Sequence, residues 1–332
     1  MGRDVLERIL APITVAAFAE RYFEKRPLRV PGRVGKFKFL FGPAEFNIGL
    51  DRATDIRAVF REGWQAHISP ADIEEMIQAG ATICIGGMEK AHPKLEHAAS
   101  QIKRRLNYCG SVDFRAYLSS PGHGFDIHFD ARVVTTLQIE GTKRWWYSAE
   151  PAVSFPSSNS GRPPSALSGE QRPPRLSALR SILLRPGDLL CLPAGTWHRA
   201  RARTKSLALN LAFDHSGAGV LDAIMTATRR RLEKEAAWRQ PLPVSTGKDS
   251  KRLPDPVART LRARIDDLQA ELSRLRASEA ALRRAWRMLV EPQRRHHRKA
   301  AHPARGSLRK LMRHDLDRLK IPASDPTVRK ES

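Results

Sequence analysis

Residues 122–145 read GHGFDIHFDARVVTTLQIEGTKRW, and this stretch determines the fold and the chemistry that we expect. His128 and Asp130 are separated by one residue within a run that predicts a strand over residues 125–130. Side chains alternate between the two faces of a strand, so His128 and Asp130 should point to one side and Phe129 to the other. An imidazole and a carboxylate placed in this way can hold one metal ion.

A second imidazole, His198, follows at the end of LRPGDLLCLPAGTWH, residues 184–198. Two histidines and one carboxylate form the facial triad of non-haem Fe(II) oxygenases, which leaves coordination positions open for other ligands. An isolated His-x-Asp pair is common by chance, and most such pairs lie on surface loops or in the core. Here His128 and Asp130 lie in a motif that also contains Gly122 and Gly141, and His198 ends a second motif that contains Gly187 and Gly195. Two spaced motifs in this order are hard to obtain by chance, which favours the metal site.

These motifs give the chain its resemblance to the JmjC-type, cupin-fold 2-oxoglutarate oxygenases, and within them to the ribosomal-oxygenase branch, which hydroxylates ribosomal proteins. The resemblance is carried by AYLSSPGHGFDIHFD at 116–130, by residues 184–198, and by Gln138, Gly141, Lys143 and Trp145. It is strong over 112–214 and looser over the rest of 5–240. It implies an α+β fold, in which a double-stranded β-helix barrel has flanking N-terminal helices and an α-helical C-terminal region.

The resemblance also implies the cofactors and the central site residues. His128, Asp130 and His198 are expected to bind Fe(II), and no catalytic side chain beyond these ligands is implied. Lys143 is expected to pair with the distal carboxylate of the cosubstrate, 2-oxoglutarate.

Three further residues are candidates for the same cavity. Asn210 lies on the small, polar face of a strand predicted over 207–213, where it could donate a hydrogen bond to the cosubstrate. A polar residue near a strand end explains Asn210 equally well. Tyr117 and Arg132 are candidates for substrate binding at the mouth, with a core aromatic as the alternative for Tyr117.

The chain divides into four predicted regions. Residues 1–110 supply helices and strands that flank the barrel, and residues 111–215 form the barrel core. Within that core, residues 154–181 are rich in Pro, Ser and Gly, which predicts a long flexible loop. Residues 182–184 and 189–192 predict a hairpin across the turn at 186–188. Residues 216–290 are predicted to be helical, and residues 291–332 form a basic tail.

Apolar residues recur at coiled-coil spacing between Leu261 and Leu289. Such a seam predicts either a coiled coil that makes a homodimer or a helix that packs back on residues 220–238.

The chain has 332 residues and a net charge of +23, with 28 Lys and Arg against 14 Asp and Glu after Val220. This charge favours contact of the tail with RNA or the ribosome, although a genome-wide preference for Arg would produce the same composition. The three cysteines are scattered, which is typical of a reducing cytoplasm. No apolar run is long enough for a membrane span.

Three functions remain open from the residues alone. The first is hydroxylation of a side chain in a protein substrate, with ribosomal proteins implied by the resemblance. The second is oxidation of a small molecule or a modified nucleotide. The third is a non-catalytic cupin that binds RNA or the ribosome, and the triad together with Lys143 argues against it.

Overall fold

The computed structural model describes residues 4–60, 65–160, 172–215, 219–244 and 253–290, with side chains described as far as residue 287. Eleven strands lie in these ranges: β1 Leu28–Val30, β2 Asp55–Val59, β3 Gln65–His67, β4 Thr82–Gly86, β5 Ser111–Ser119, β6 Arg132–Glu140, β7 Lys143–Tyr147, β8 Arg180–Leu184, β9 Leu189–Leu192, β10 His198–Ala202 and β11 Ser206–Asp214. The helices are α1 Val5–Leu10, α2 Val15–Arg21, α3 Pro43–Arg52, α4 Ile73–Gln78, α5 Met88–Ala91, α6 Pro93–Leu106, α7 Val220–Leu232, α8 Ala236–Arg239, α9 Asp255–Ala277 and α10 Glu279–Val290.

Two antiparallel sheets form the barrel, as the resemblance implied. The larger sheet has the strand order β1-β9-β6-β11-β5-β4-β2-β3, and the smaller one has the order β10-β7-β8. Strand β11 lies between β5 and β6 and is buried along nearly its whole length. The N-terminal strands β1 to β4 extend the larger sheet, so residues before 111 contribute to the barrel wall as well as to the flanking helices.

Local sequence signals explain the N-terminal helices. Thr14 caps α2, because its Oγ1 accepts a hydrogen bond from the backbone N–H of Ala17 at 3.1 Å. Ser69 forms a capping box with Asp72 ahead of α4, as the Ser-Pro pair at this position predicts. The aromatic ring of Phe23, just after α2, packs edge-on against Phe213 of β11 at 5.0 Å between centroids. This contact fixes the helical N-terminus on the strand that carries Asn210.

The predicted hairpin over 182–192 is wrong. β8 pairs with β7 in the smaller sheet, whereas β9 pairs with β1 and β6 in the larger one. Residues 185–188 therefore cross from one sheet to the other. The turn itself exists: Gly187 has φ of 96°, and a Cβ there would lie 2.1 Å from the carbonyl oxygen of Arg33. The carboxylate of Asp188 accepts backbone hydrogen bonds from Gly32 and Arg185, which tie the crossing to the N-terminal region.

The segment predicted as one long loop at 154–181 is more ordered at its ends than its composition suggests. Residues 161–171 lie outside the described part of the chain. Leu179 is buried with Phe129 and Trp197, and β8 already begins at Arg180. The prediction of a long flexible loop is therefore wrong at the C-terminal end of this segment.

The C-terminal seam does not form one continuous helix. Helix α9 ends at Ala277, Ser278 has an extended backbone, and α10 starts at Glu279. Helices α9 and α10 both contact α7, which matches the alternative in which this region packs back on residues 220–238. Leu275 is buried, but Ile265 and Leu282 remain about half exposed. The described helices include none that is both long and apolar enough to cross a membrane, and the predicted basic tail, 291–332, lies outside the described residues.

Candidate active site

The segment that carries His128 and Asp130 is not the strand that its sequence predicts. Residues 125–130 make only one isolated bridge, between His128 and His198 at the start of β10. The backbone N–H of each histidine donates to the carbonyl oxygen of the other, at 2.9 and 2.7 Å. The side-chain directions that a strand would give are nevertheless present, since His128 and Asp130 point into the barrel and Phe129 is buried on the other side.

Two polar side chains from the predicted loop hold this irregular segment in place. The N–H of Phe129 donates to Oγ of Ser160, and the N–H of Ala131 donates to Oδ1 of Asn159, both at 2.8 Å. These two amides flank Asp130 on either side. Without the loop they would lack partners, and an unpaired buried amide is costly. Sequence reasoning missed both residues, because a polar, Pro- and Ser-rich segment carries no signal for such a role.

His128, Asp130 and His198 bring three potential ligand atoms together. Nε2 of His128 lies 3.8 Å from Oδ2 of Asp130, and Nε2 of His198 lies 3.6 Å from the same oxygen. All three atoms lie within 4.8 Å of one another. This N, N, O donor set on one face is the arrangement that suits Fe(II) with open coordination positions.

Hydrogen bonds that the imidazoles donate to backbone carbonyls orient both rings. Nδ1 of His128 lies 2.7 Å from the carbonyl oxygen of Asp126, and Nδ1 of His198 lies 2.9 Å from that of Thr196. A carbonyl can only accept, so each Nδ1 carries the proton and each Nε2 presents a lone pair towards Asp130. The ring of Trp145 stacks on His198 at 5.7 Å and fixes its plane.

The electrostatics of the three residues suit a cation between them. Burial, together with the neighbouring His128, lowers the pKa of His198 to about 4, so its imidazole is neutral near pH 7. Burial opposes ionisation of Asp130, but His128, His198 and the nearby guanidiniums of Arg132 and Arg115 hold its pKa below the usual range. The site therefore presents two neutral nitrogens and one carboxylate.

The triad opens into a cavity of about 1030 Å³. Lys143, Asn210, Tyr117 and Arg132 all line this cavity, so every candidate from the sequence lies in it. The volume is at the upper end of the range for small-molecule sites, which leaves room for a cosubstrate and for part of a second substrate.

Lys143 is the most deeply placed cation of the site. Its side chain projects from β7 and is 2 % exposed, and its Nζ donates to Oγ of Ser119 at 3.1 Å. Within the described ranges no carboxylate lies within 4.0 Å of Nζ. Burial lowers its pKa to about 8. A buried ammonium without an anionic partner is unfavourable, and a ligand carboxylate would supply that partner.

Asn210 and Tyr117 also have defined surroundings. Oδ1 of Asn210 accepts a hydrogen bond from Oγ1 of Thr136 at 2.8 Å, which leaves its amide N–H groups to face the cavity. Tyr117 packs edge-on against Phe125 and lies directly opposite Cys84 in the β4–β5 register. Burial raises the pKa of Tyr117, so its hydroxyl is a neutral donor. The description of Tyr117 as only a core aromatic is incomplete, because its side chain is part of the cavity wall.

Arg115 also lines the cavity, and sequence reasoning did not propose it. It precedes Tyr117 by two residues on β5, so the two side chains share one face of the strand. Because side chains alternate along a strand, counting back two residues from Tyr117 would have identified Arg115.

The chain is similar to several known proteins. Residues 91–219 match the family model of the JmjC domain. The chain is 28% identical over 260 residues to the protein YxbC of Bacillus subtilis (strain 168), an alignment that spans 71% of this chain and 78% of YxbC. It is 25% identical over 265 residues to the bifunctional lysine-specific demethylase and histidyl-hydroxylase NO66 of Drosophila persimilis, covering 74% of this chain but only 37% of that protein.

A third relative is ribosomal oxygenase 2 of Rattus norvegicus, 27% identical over 214 residues, which are 58% of this chain and 43% of that one. Among solved structures, the ribosomal oxygenase YcfD from Escherichia coli in complex with cobalt and 2-oxoglutarate has a TM-score of 0.57 at 16% identity, over 92% of this chain and 78% of that one. At this identity the likeness shows the fold. Residues 91–219 therefore match a JmjC domain, the fold is that of a cupin-type barrel, and the proteins to which the chain is similar include ribosomal oxygenases.

Proposed function

We propose that this protein is an Fe(II)- and 2-oxoglutarate-dependent oxygenase that hydroxylates a side chain of a protein substrate. The observation that carries the proposal is the convergence of His128, Asp130 and His198 on one side of a cavity. The same cavity contains the buried ammonium of Lys143, which has no carboxylate partner among the described residues. A metal site and a dicarboxylate site would thus share one cavity.

His128, Asp130 and His198 would hold the metal through two Nε2 atoms and one carboxylate. Their Nδ1 hydrogen bonds to backbone carbonyls keep both imidazoles aimed before any ion arrives. Fe(II) with 2-oxoglutarate supplies an O₂-dependent oxidation that yields succinate, CO₂ and a hydroxyl group on the substrate.

Lys143 would bind the carboxylate of 2-oxoglutarate that does not reach the metal. Ser119 supports Lys143 from below, since Oγ of Ser119 accepts from both Lys143 and Thr82 at 3.1 Å. Asn210 would add one amide N–H to the cosubstrate. These contacts would orient the cosubstrate, and the buried wall would keep water from the ion pair between Lys143 and the carboxylate.

The substrate class comes from the relatives. NO66 is named as a histidyl-hydroxylase and demethylase, and ribosomal oxygenase 2 and YcfD are named as ribosomal oxygenases. A protein substrate, and a ribosomal protein as the first candidate, is therefore the best-supported choice. Since the alignments span 37% of NO66 and 43% of ribosomal oxygenase 2, the whole activities of these proteins are not transferred.

Further parts of the proposal concern partners and location. The basic C-terminal tail would contact RNA or the ribosome, because Lys and Arg are concentrated there. The half-exposed apolar side chains of α9 and α10, such as Ile265 and Leu282, support a homodimer through these helices. The free cysteines Cys84, Cys109 and Cys191 suit the cytoplasm.

The test is succinate formation by the full chain with Fe(II), 2-oxoglutarate and O₂. Basal turnover should appear with the wild-type chain, and fractions of cell extract that contain ribosomal proteins should stimulate it. Mass spectrometry of the stimulating fraction should find a protein that has gained one oxygen atom. If a small molecule or a nucleotide is the species that gains oxygen, the protein-substrate part of the proposal is wrong.

A further inference from the structure

Two arginines on the cavity wall have no partner in the part of the chain that the structure describes. Arg115 lies on β5 and Arg132 begins β6, and these two strands flank β11 on either side. The register places Arg115 opposite Asn210 and Arg132 opposite Asp214, and alternation puts both on the face that lines the cavity.

The hydrogen-bonding capacity of these guanidiniums is not used by the protein. Nε of Arg115 and Nη1 of Arg132 are buried atoms that lack a hydrogen-bond acceptor within the described ranges. Neither side chain has a described carboxylate within 4.0 Å, although Asp113 and Asp130 lie near enough to Arg115 to influence it electrostatically. Buried donors are nearly always paired in native proteins, so two such groups in one cavity point to a ligand.

The other charges of the cavity are already matched. Asp55 pairs with Arg57 at 3.0 Å. The carboxylate of Asp126 forms an ion pair with Arg201. Asp130 is assigned to the metal under the proposed function, and the two carboxylates of 2-oxoglutarate would go to the metal and to Lys143. With the cosubstrate bound, Arg115 and Arg132 remain as two uncompensated positive charges.

We propose that the substrate presents a carboxylate to Arg115 and Arg132, so that the residue placed in the cavity is acidic or adjoins an acidic residue. The inference rests on the proposed function, because it names the substrate class of the same site. A guanidinium binds a carboxylate through two parallel hydrogen bonds and loses much less by burial when it does so. A substrate lysine or arginine would instead bring a like charge into a confined space.

The surroundings favour a peptide carboxylate over a nucleic-acid phosphate. The two arginines are partly buried inside the cavity, and the wall near them includes the rings of Tyr117 and Phe125. An aliphatic stem that ends in one carboxylate fits this lining. Polyanion binding uses rows of exposed cations along a surface, which is the character of the basic tail and not of this cavity.

The reaction leaves the bound carboxylate unchanged. One C–H bond of the substrate breaks and one C–OH bond forms, with its oxygen coming from O₂. The second oxygen atom of O₂ enters the carboxylate of succinate as 2-oxoglutarate loses CO₂. Arg115 and Arg132 are therefore specificity-determining residues, which select the substrate without taking part in the chemistry.

The experiment compares peptide pools with the iron-loaded full chain. One pool contains Asp and Glu within otherwise varied sequences, a matched pool has Asn and Gln at those positions, and a third pool has Lys and Arg there. We expect the acidic pool to raise succinate formation about tenfold more than either other pool. A short single-stranded RNA is tested in parallel as the phosphate alternative.

Variants tie the preference to the two residues. Arg115→Gln and Arg132→Gln should each reduce the stimulation by acidic peptides about tenfold or more, while anaerobic binding of 2-oxoglutarate and the melting temperature stay close to the wild type. Arg132→Glu should shift the preference towards the Lys and Arg pool, a result that a purely structural role would not produce. Arg144→Gln is the matched control, since Arg144 contacts Ser181 on the outside of β7.

The outcomes separate this inference from the proposed function. The carboxylate inference would be overturned if the acidic and amide pools stimulated equally, or if no pool stimulated. It would also be overturned if both Gln variants kept the wild-type preference, or if RNA alone stimulated. A wild-type chain that does not bind 2-oxoglutarate at all would instead refute the proposed function.

Discussion

His128 and His198 are joined through their backbones: the N–H of each donates to the carbonyl oxygen of the other, at 2.9 and 2.7 Å. This reciprocal pair forms a β-bridge between the irregular segment at 125–130 and β10, and the N–H of Ala200 also donates to the carbonyl oxygen of Phe125 at 3.1 Å. Because these hydrogen bonds use no side-chain atoms, an imidazole can be removed while the two segments stay joined. Variants at either histidine therefore report on metal binding more than on folding.

Lys143→Ala should weaken 2-oxoglutarate binding strongly while leaving Fe(II) binding nearly unchanged. The alanine removes one partner of a buried ion pair, a loss of about 3–5 kcal/mol. The measurement is an anaerobic titration of the charge-transfer absorbance that forms when 2-oxoglutarate binds Fe(II). Unchanged affinity would mean that another cation of the cavity binds the distal carboxylate, and Arg132, which lines the cavity, would be the next residue to test.

The affinity for 2-oxoglutarate should fall as pH rises through about 8. Burial lowers the pKa of Lys143 from 10.5 to about 8, so the free enzyme loses this positive charge above that pH. Well above pH 8 the affinity should fall about tenfold per pH unit. Lys143→Arg keeps its charge throughout this range and should bind with a flat pH profile. A matching decline in the Arg variant would assign the pH dependence to another group.

The lowered pKa of Lys143 also affects stability, which should rise with pH where the affinity for 2-oxoglutarate falls. The folded pKa of Lys143 lies below the unfolded value, so the unfolded state binds more protons between pH 8 and 10.5. The contribution of Lys143 to the free energy of unfolding therefore rises with pH in that window. Thermal melts of the wild type and of Lys143→Ala without cosubstrate should converge as pH approaches 10.5.

Asn159→Ala combined with Ser160→Ala should destabilise the metal-binding segment. The two substitutions leave the amides of Phe129 and Ala131 without acceptors, at about 1–3 kcal/mol each. We expect a lower melting temperature and roughly tenfold to hundredfold weaker Fe(II) binding, as for other residues that support metal ligands. Ser157→Ala, on an exposed neighbour, is the control. Iron affinity equal to that of the control would show that the loop does not position Asp130.

Much of this structure follows from short-range patterns. The resemblance carried by the two motifs implies the barrel, and the same motifs identify the three residues that meet at the triad. The prediction of a strand over 125–130 was wrong because backbone N–H groups at this segment donate to the side chains of Ser160 and Asn159, which are distant in sequence. The hairpin at 182–192 was wrong because a turn signal at Gly187 fixes the local backbone but does not say which sheet each flanking strand joins. Strand alternation could have placed Arg115 beside Tyr117 in the cavity, but its lack of a described hydrogen-bond acceptor at Nε is visible only in the fold.

Deleting the residues after Val290 should leave basal succinate formation intact and reduce binding to RNA or ribosomes. Residues 291–313 contain eight Arg and Lys and one Glu, so binding should release counterions and weaken steeply with salt. Co-sedimentation with ribosomes at several salt concentrations measures this. A full-length variant with Gln in place of these Arg and Lys residues separates charge from length. Equal sedimentation of the truncated and full chains would leave the tail without this role.

The most direct test of the account is whether His128, Asp130 and His198 hold the iron that 2-oxoglutarate binds. Anaerobic protein is mixed with Fe(II) and 2-oxoglutarate, the charge-transfer absorbance is recorded, and bound iron is measured after desalting. The wild type should bind one iron and develop the band, whereas His128→Ala and Asp130→Ala should lose most of the iron, with affinity reduced at least about a hundredfold. Stoichiometric iron and an undiminished band in both variants would contradict the assignment.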